Sequence, residues 1–230
     1  MSSIVSNLQQ VKRRIAHACD EAGRDAQSVT LLAVSKTFGA DAVRQAFAAG
    51  QRAFGENYVQ EGLAKIALLS DLRPVIEWHL IGPLQGNKTR VVAEAFDWVH
   101  SVDRLKIAHR LAEQRPADLP PLQLCLQVNI SGEASKSGLL PAEVPAVAAA
   151  VAALPAERVV LRGLMAIPEA AADAVAQRRP HRALHELLAA LNATGLALDT
   201  LSMGMSADLE AAVVEGSTVV RVGTTIFGER

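Results

Sequence analysis

The residue with the most chemistry in this sequence is Lys36. It follows the apolar run Leu31-Leu32-Ala33-Val34 and then Ser35, which reads as a short buried strand with the lysine at its C-terminal mouth. Such a lysine has two readings. Its ammonium can simply sit in water, as most lysines do. Alternatively, partial desolvation makes the charge easier to lose, and the neutral amine becomes a nucleophile able to form a Schiff base with a carbonyl.

Two segments near the other end of the chain suit an anion. The first is Ser202-Met203-Gly204-Met205-Ser206, followed by Ala207-Asp208-Leu209 and a helical pattern. Ser206 stands at the N-cap position, where it either bonds its own helix or shares the unpaired N–H groups there with a phosphate. The second is Val220-Arg221-Val222-Gly223-Thr224-Thr225-Ile226-Phe227-Gly228. Gly223 allows close backbone approach, and Thr224 and Thr225 supply hydroxyls. Arg221 lies inside an apolar run with Val219, Val220 and Val222, so it requires a partner: an interior carboxylate or a ligand.

The elements that must position these groups alternate along the whole chain. Helical spacing of Ile4, Leu8, Val11, Ile15 and Ala18 predicts an opening helix over 4–22, stopped at Gly23. Strands are predicted at 30–35, 52–55, 77–81, 98–101, 122–130, 159–165, 200–203 and 218–222. The intervening helices are predicted at 41–49, 59–69, 87–96, 103–114 with Asp103 as cap, 141–154 with Pro141 in the first turn, 180–193 and 209–215. Strand–helix alternation is the signature of parallel βαβ units. No glycine-rich dinucleotide turn follows the first strand, which favours closure over an open sheet. The fold class is therefore α/β: a single (β/α)8 TIM-type barrel with an extra N-terminal helix, one domain over 1–230. In such a barrel chemistry gathers where strands end, and phosphate is often held after the seventh and eighth strands. The strand-end residues are Lys36, Glu56 with Asn57, His79 with Gly82, Ser101, Asn129, Met165, Ser206 and 221–225.

Composition narrows the function classes. With 230 residues, half of them hydrophobic and only 3% aromatic, the core must be built from Ala, Val, Leu and Ile. Net charge is −1 and the longest basic run, Lys12-Arg13-Arg14, reads as a solvated helix face, so nothing points to nucleic acid or an anionic membrane. Cys19 and Cys125 form no CxxC pair, which argues against a disulfide framework or zinc cage and for a reducing cytoplasm. The opening Met1-Ser2-Ser3 is followed by no signal-peptide core, and the alanine-rich stretch 142–154 is too short and too polar to span a membrane.

The sequence also resembles a known family. Leu32-Ala33-Val34-Ser35-Lys36-Thr37, Phe54-Gly55-Glu56-Asn57-Tyr58-Val59-Gln60-Glu61 and Trp78-His79-Leu80-Ile81-Gly82-Pro83-Leu84-Gln85-Gly86-Asn87-Lys88 are similar to signatures of the pyridoxal phosphate homeostasis proteins. So are Ser135-Lys136-Ser137-Gly138, Gly163-Leu164-Met165, the 202–206 stretch with Asp208, and 221–228; Gly86 is the one small departure. Each motif is modest, but together they run in order from Leu32 to Gly228. These are fold-type III proteins of pyridoxal 5′-phosphate (PLP), related to the N-terminal domain of alanine racemase. The resemblance implies that Lys36 carries PLP as an internal aldimine. It implies that Ser206, Gly223 and Thr224 hold the phosphate, and that Arg221 faces the pyridine nitrogen. It further implies that Asn57 and His79 lie near the ring or its O3′ side, and that Met165 and Met203 wall the pocket. Lys136 becomes a candidate secondary or regulatory amine.

An arginine opposite the ring nitrogen can only donate, so the nitrogen stays an acceptor and the electron sink is weak. Storage, buffering and delivery of PLP, with apo PLP-dependent enzymes as acceptors, follow more naturally than turnover. The enzyme alternative is an amino-acid racemase of the alanine racemase type. Such racemases also use an arginine there, but they need a second acid/base, a tyrosine from a separate β-domain. This sequence has one tyrosine, Tyr58, in an early loop, and ends at Arg230 after the last barrel segment. The expectation is a monomer without that domain. A third reading, a class I aldolase with a sugar phosphate on Lys36, fits the motifs least.

Overall fold

A computed structural model of the chain describes residues 3–133, 136–169, 171 and 173–228. Eight strands close into a parallel barrel in sequence order: β1 (Thr30–Val34), β2 (Ala53–Glu56), β3 (Glu77–Leu80), β4 (Trp98–Val102), β5 (Leu122–Gln127), β6 (Val159–Met165), β7 (Thr200–Ser202) and β8 (Val219–Val222). The helices are α1 (Ile4–Glu21), α2 (Ala40–Ala48), α3 (Val59–Leu68), α4 (Thr89–Ala95), α5 (Leu105–Gln114), α6 (Val144–Ala152), α7 (Ala174–Ala193), α8 (Leu209–Val214) and α9 (Thr224–Phe227). The barrel closes where β1 runs parallel to β8, with Leu32 beside Arg221 and Ala33 beside Val222.

The strands are short apolar runs because both of their faces are covered. Outward residues such as Phe54, Trp78, Leu80, Leu124 and Val220 pack against the helices in one continuous core. Inward positions follow the two-residue period. Leu32, Ala53 and Val219 form a small apolar plug inside the barrel, separate from the outer core. Other inward positions carry polar side chains, His79, His100, Ser202 and Arg221 among them, and that is where the chemistry lies.

Helix α1 is the expected extra element. Leu8, Val11, Ile15 and Ala18 are buried on one stripe, and the Ser3 hydroxyl caps the first turn by accepting from Ser6 N at 3.2 Å. Lys12 and Arg13 face solvent, but Arg14 departs from the expected solvated face. Its guanidinium donates to both Glu210 carboxylate oxygens and to the Ser206 carbonyl at 2.9 Å.

Several boundaries differ from the sequence expectation for identifiable reasons. Helix α7 starts six residues before Pro180, because Asp173 accepts from Ala176 N at 2.8 Å and caps it there, with Pro180 inside the helix. Asp103 does not cap α5: its carboxylate accepts from Arg104, the residue at the cap position. Pro141 lies in a turn ahead of α6, and Pro145 takes the first-turn place instead. β5 stops at Gln127; Val128 then bridges to Leu139 and the Asn129 side chain donates to the Glu133 carbonyl, closing a loop. Ser135 of the expected loop motif lies outside the described residues.

Candidate functional site

All eight strands run the same way, so their C-terminal ends share one mouth. Lys36 sits there in the turn after β1, partly exposed, and its amine makes no hydrogen bond or ion pair among the described residues. The turn around it is heavily tied. Ser35 is fully buried and its hydroxyl donates to Glu56 Oε1 at 2.6 Å. Thr37 N donates to Glu61 Oε1, and Thr37 has φ +70°. A β-branched residue in that region costs ~1–3 kcal/mol, so surrounding contacts must hold it there.

The ends of β7 and β8 meet the end of β1 at the same mouth. Arg221 N donates to Gly204 O at 3.0 Å, joining the two late loops. A Cβ added at Gly223 would lie 3.1 Å from Val34 O, so β8 passes β1 at a distance only glycine accommodates comfortably. Ser206 does not cap α8 as the sequence suggested. Asp208 occupies that position, and its Oδ1 accepts from Met205 N at 2.7 Å, setting a turn that leaves Ser206 ahead of the helix. His181 fixes the other carboxylate oxygen of Asp208 at 2.9 Å. The Ser206 hydroxyl and the N–H groups of Gly223, Thr224 and Thr225 find no acceptor among the described residues. Those N–H groups open α9, a short helix where the sequence suggested only loop. Untied N–H and O–H donors on adjacent loops, at a mouth that also holds an untied amine, form a donor set for a phosphorylated carbonyl compound.

Asn57 follows β2, and its Oδ1 is buried without a partner. Gly82, after β3, brings its backbone against Asn57, since a Cβ there would lie 2.0 Å from Asn57 O; Ser101 holds the Gly82 carbonyl at 2.6 Å. Met165 is fully buried and in register with the inward-facing Ser202, so it also faces the barrel interior.

The sequence matches the family model for the alanine racemase N-terminal domain over residues 6–230. It is 62% identical to a pyridoxal phosphate homeostasis protein of Pseudomonas aeruginosa, over 100% of this chain and 97% of that protein. The chain belongs to the pyridoxal phosphate homeostasis protein family. Among solved structures it resembles PipY of Synechococcus elongatus PCC7942, determined with PLP bound, with a TM-score of 0.83, 40% identity and coverage of 98% of this chain and 100% of that one. Alanine racemase from Corynebacterium glutamicum shares the fold at a TM-score of 0.69 and 20% identity; 97% of this chain aligns with 59% of that enzyme.

Arg221 is 4% exposed, and its partners are neutral oxygens rather than a carboxylate. Nη1 donates to the Ser202 carbonyl at 2.6 Å and the Ser202 hydroxyl at 2.7 Å, and Nη2 donates to the Ala166 carbonyl at 2.8 Å. Burial pushes the guanidinium down to about 10, with Asp208 and Cys125 pulling the other way, so it stays charged at neutral pH.

Two sequence expectations are corrected, the first by strand alternation and the second by depth in the barrel. Ser202 turns inward, so Met203 turns outward and joins the apolar core under the helices instead of walling the mouth. His79 does not border the mouth either. Its Nδ1 lies 2.9 Å from His100 Nε2, and His100 Nδ1 lies 2.7 Å from Ser202 Oγ. His79 thus stands below Arg221, linked to it through His100 and Ser202. Its Nε2 faces Glu77 Oε2 at 3.6 Å, at the N-terminal end of β3. His100, Ser202 and Lys65 are the site residues that the sequence reading missed. Burial, helped by His79 and Arg221, holds His100 well below the ordinary histidine range, so this ring is neutral.

Proposed function

We propose that this protein binds PLP at Lys36 and holds the cofactor for delivery to other proteins rather than for turnover. The observation that carries the reading is the untied Lys36 amine sharing one barrel mouth with the untied donors of Ser206, Gly223 and Thr224. The family name and the PLP-bound relative support it. When bound, PLP would supply an aldehyde that condenses reversibly with a primary amine, releasing water. Lys36 provides that amine after losing its proton to solvent. Ser206, Gly223 and Thr224 bind the phosphate through hydroxyl and backbone donors, and Asn57, with its unpartnered Oδ1, receives a donor at the ring edge.

Arg221 orients the pyridine nitrogen as a donor-only group. Its proton is bound too tightly at neutral pH to be given up, which disfavours carbanion chemistry. Met165 contributes apolar wall. A racemase needs a second acid/base, and Tyr58, the one tyrosine in the sequence, is 59% exposed. We place the protein in the cytoplasm as a monomer, with apo PLP-dependent enzymes as acceptors. No helix among the described residues is long and apolar enough to cross a membrane.

The test is borohydride reduction of the purified protein followed by peptide mass spectrometry. The expected result is a visible band that collapses and a pyridoxyl mass on Lys36, absent from Lys36→Ala. Full reducible PLP on the Lys36→Ala protein would overturn the assignment. Steady exchange of an amino-acid Cα proton in deuterated water would favour the racemase.

A further inference from the structure

Lys65 is an unusual residue to find at 4% exposure, since burying an ammonium is costly unless every proton is bonded. Here each one is. Nζ donates to the Ser35 carbonyl at 2.6 Å, to Glu56 Oε1 at 2.7 Å and to Glu61 Oε1 at 2.7 Å. All three acceptors lead to the same place. Ser35 is the residue before Lys36. Glu56 takes the Ser35 hydroxyl, and Glu61 takes the backbone N–H of Thr37, the residue after Lys36.

We infer that Lys65, with Glu56 and Glu61, is a clamp that positions Lys36 by holding Ser35 and Thr37 on either side of it. The clamp grips both neighbours and leaves the lysine's own amine untied. It also accounts for Thr37 keeping a positive φ, a conformation that a β-branched residue leaves when released. A lysine needed only to neutralise two carboxylates would not have to reach the Ser35 carbonyl as well. The inference rests on Lys36 being the PLP anchor.

The test compares Lys65→Met with Lys65→Met/Thr37→Gly, because glycine adopts positive φ without a clamp. Two quantities are followed: the rate at which added PLP becomes fixed to Lys36 on borohydride quenching, and amide hydrogen exchange at residue 37 in protein without PLP. Lys65→Met is expected to fix PLP about 10- to 100-fold more slowly, the scale on which small misplacements act. It is also expected to exchange faster at Thr37, and the added glycine should recover most of the fixation rate. Fixation at the wild-type rate, or a slow rate that glycine does not rescue, overturns the clamp as a positioning device. Should Lys65→Met not fold, Glu61→Ala, at a partly exposed position, is expected to speed exchange at Thr37 and slow fixation; no change in either overturns it. Failure of the anchor reading is distinguishable, because Lys36→Ala would then retain its adduct whatever Lys65 does.

Discussion

The polar interior makes a directional prediction that Ser202→Ala tests. Arginine can only donate, so Ser202 Oγ accepts from Arg221 at 2.7 Å. The hydroxyl proton then has one acceptor within reach, His100 Nδ1 at 2.7 Å. His100 must therefore carry its own proton on Nε2 and give it to His79 Nδ1, which leaves the His79 proton on Nε2, facing the Glu77 carboxylate. The reverse order would strand the serine proton in a dry interior and set a bare nitrogen lone pair against a carboxylate. Removing the hydroxyl deletes one charge-assisted bond, worth about 1.5–3 kcal/mol, and one neutral bond, worth about 0.5–1.5 kcal/mol. Arg221 Nη1 keeps the Ser202 carbonyl at 2.6 Å, which recovers part of the first term. The expected net loss is about 2–3 kcal/mol, measured by urea denaturation of wild type and variant. Nitrogen-15 NMR of the wild type should show both His79 and His100 protonated on Nε2. A stability loss below about 0.5 kcal/mol, or a proton on His100 Nδ1, would refute the chain as a coupled unit.

Two more perturbations follow from the same geometry. Gly223→Ala pushes a methyl toward Val34 O at 3.1 Å and must shift the backbone proposed to bind the phosphate, so PLP affinity by fluorescence titration should fall about tenfold; unchanged affinity would show that this approach is not needed. Acid should destabilise the protein through His100, whose value in the fold is well below the 6.5 of a free histidine. The unfolded chain therefore binds the proton first, and stability is full above that ordinary value. Below it stability falls by up to about 1.4 kcal/mol per pH unit until the folded ring protonates. His100→Phe should flatten that slope in urea titrations at stepped pH, and an unaltered slope would assign the acid sensitivity elsewhere.

What the sequence made legible divides by the range of the interaction. The strand cores were readable because eight short apolar runs separated by helical patterns leave few alternatives, and β6 (Val159–Met165) was placed to the residue. Lys36 and Arg221 were readable because each is a charge in an apolar setting. The His79–His100–Ser202 chain was not, since it joins β4 to β7 across 102 residues through barrel register. Lys65 was hidden by its spacing, because Glu61 and Lys65 four apart look like an ordinary surface helix pair. Only the neighbouring β2 carboxylate and the Ser35 carbonyl just after β1 turn that pair into a buried clamp. Ser206 was misread as a cap for a local reason: two capping types, Ser206 and Asp208, lie two residues apart, and the aspartate can reach back to Met205 N.

Two sets of polar groups at the mouth of the barrel are informative about function. One set is held in place: Lys65 has all three protons bonded, Arg221 gives three of its five N–H donors to neutral oxygens, and Asp208 is fixed by His181 and Met205. The other set is untied: the Lys36 amine, the Ser206 hydroxyl, the N–H groups of Gly223 and Thr224, and Asn57 Oδ1. Of these only Asn57 Oδ1 is buried, where a missing partner costs stability; the others lie at the partly exposed mouth, open to a ligand. Each of these held groups lies near an untied one in the chain or fold: Lys65 by Lys36, Arg221 by Gly223, and Asp208 by Ser206. A site built this way fixes the approach of an amine and a phosphate, an arrangement suited to reversible holding of a reactive aldehyde.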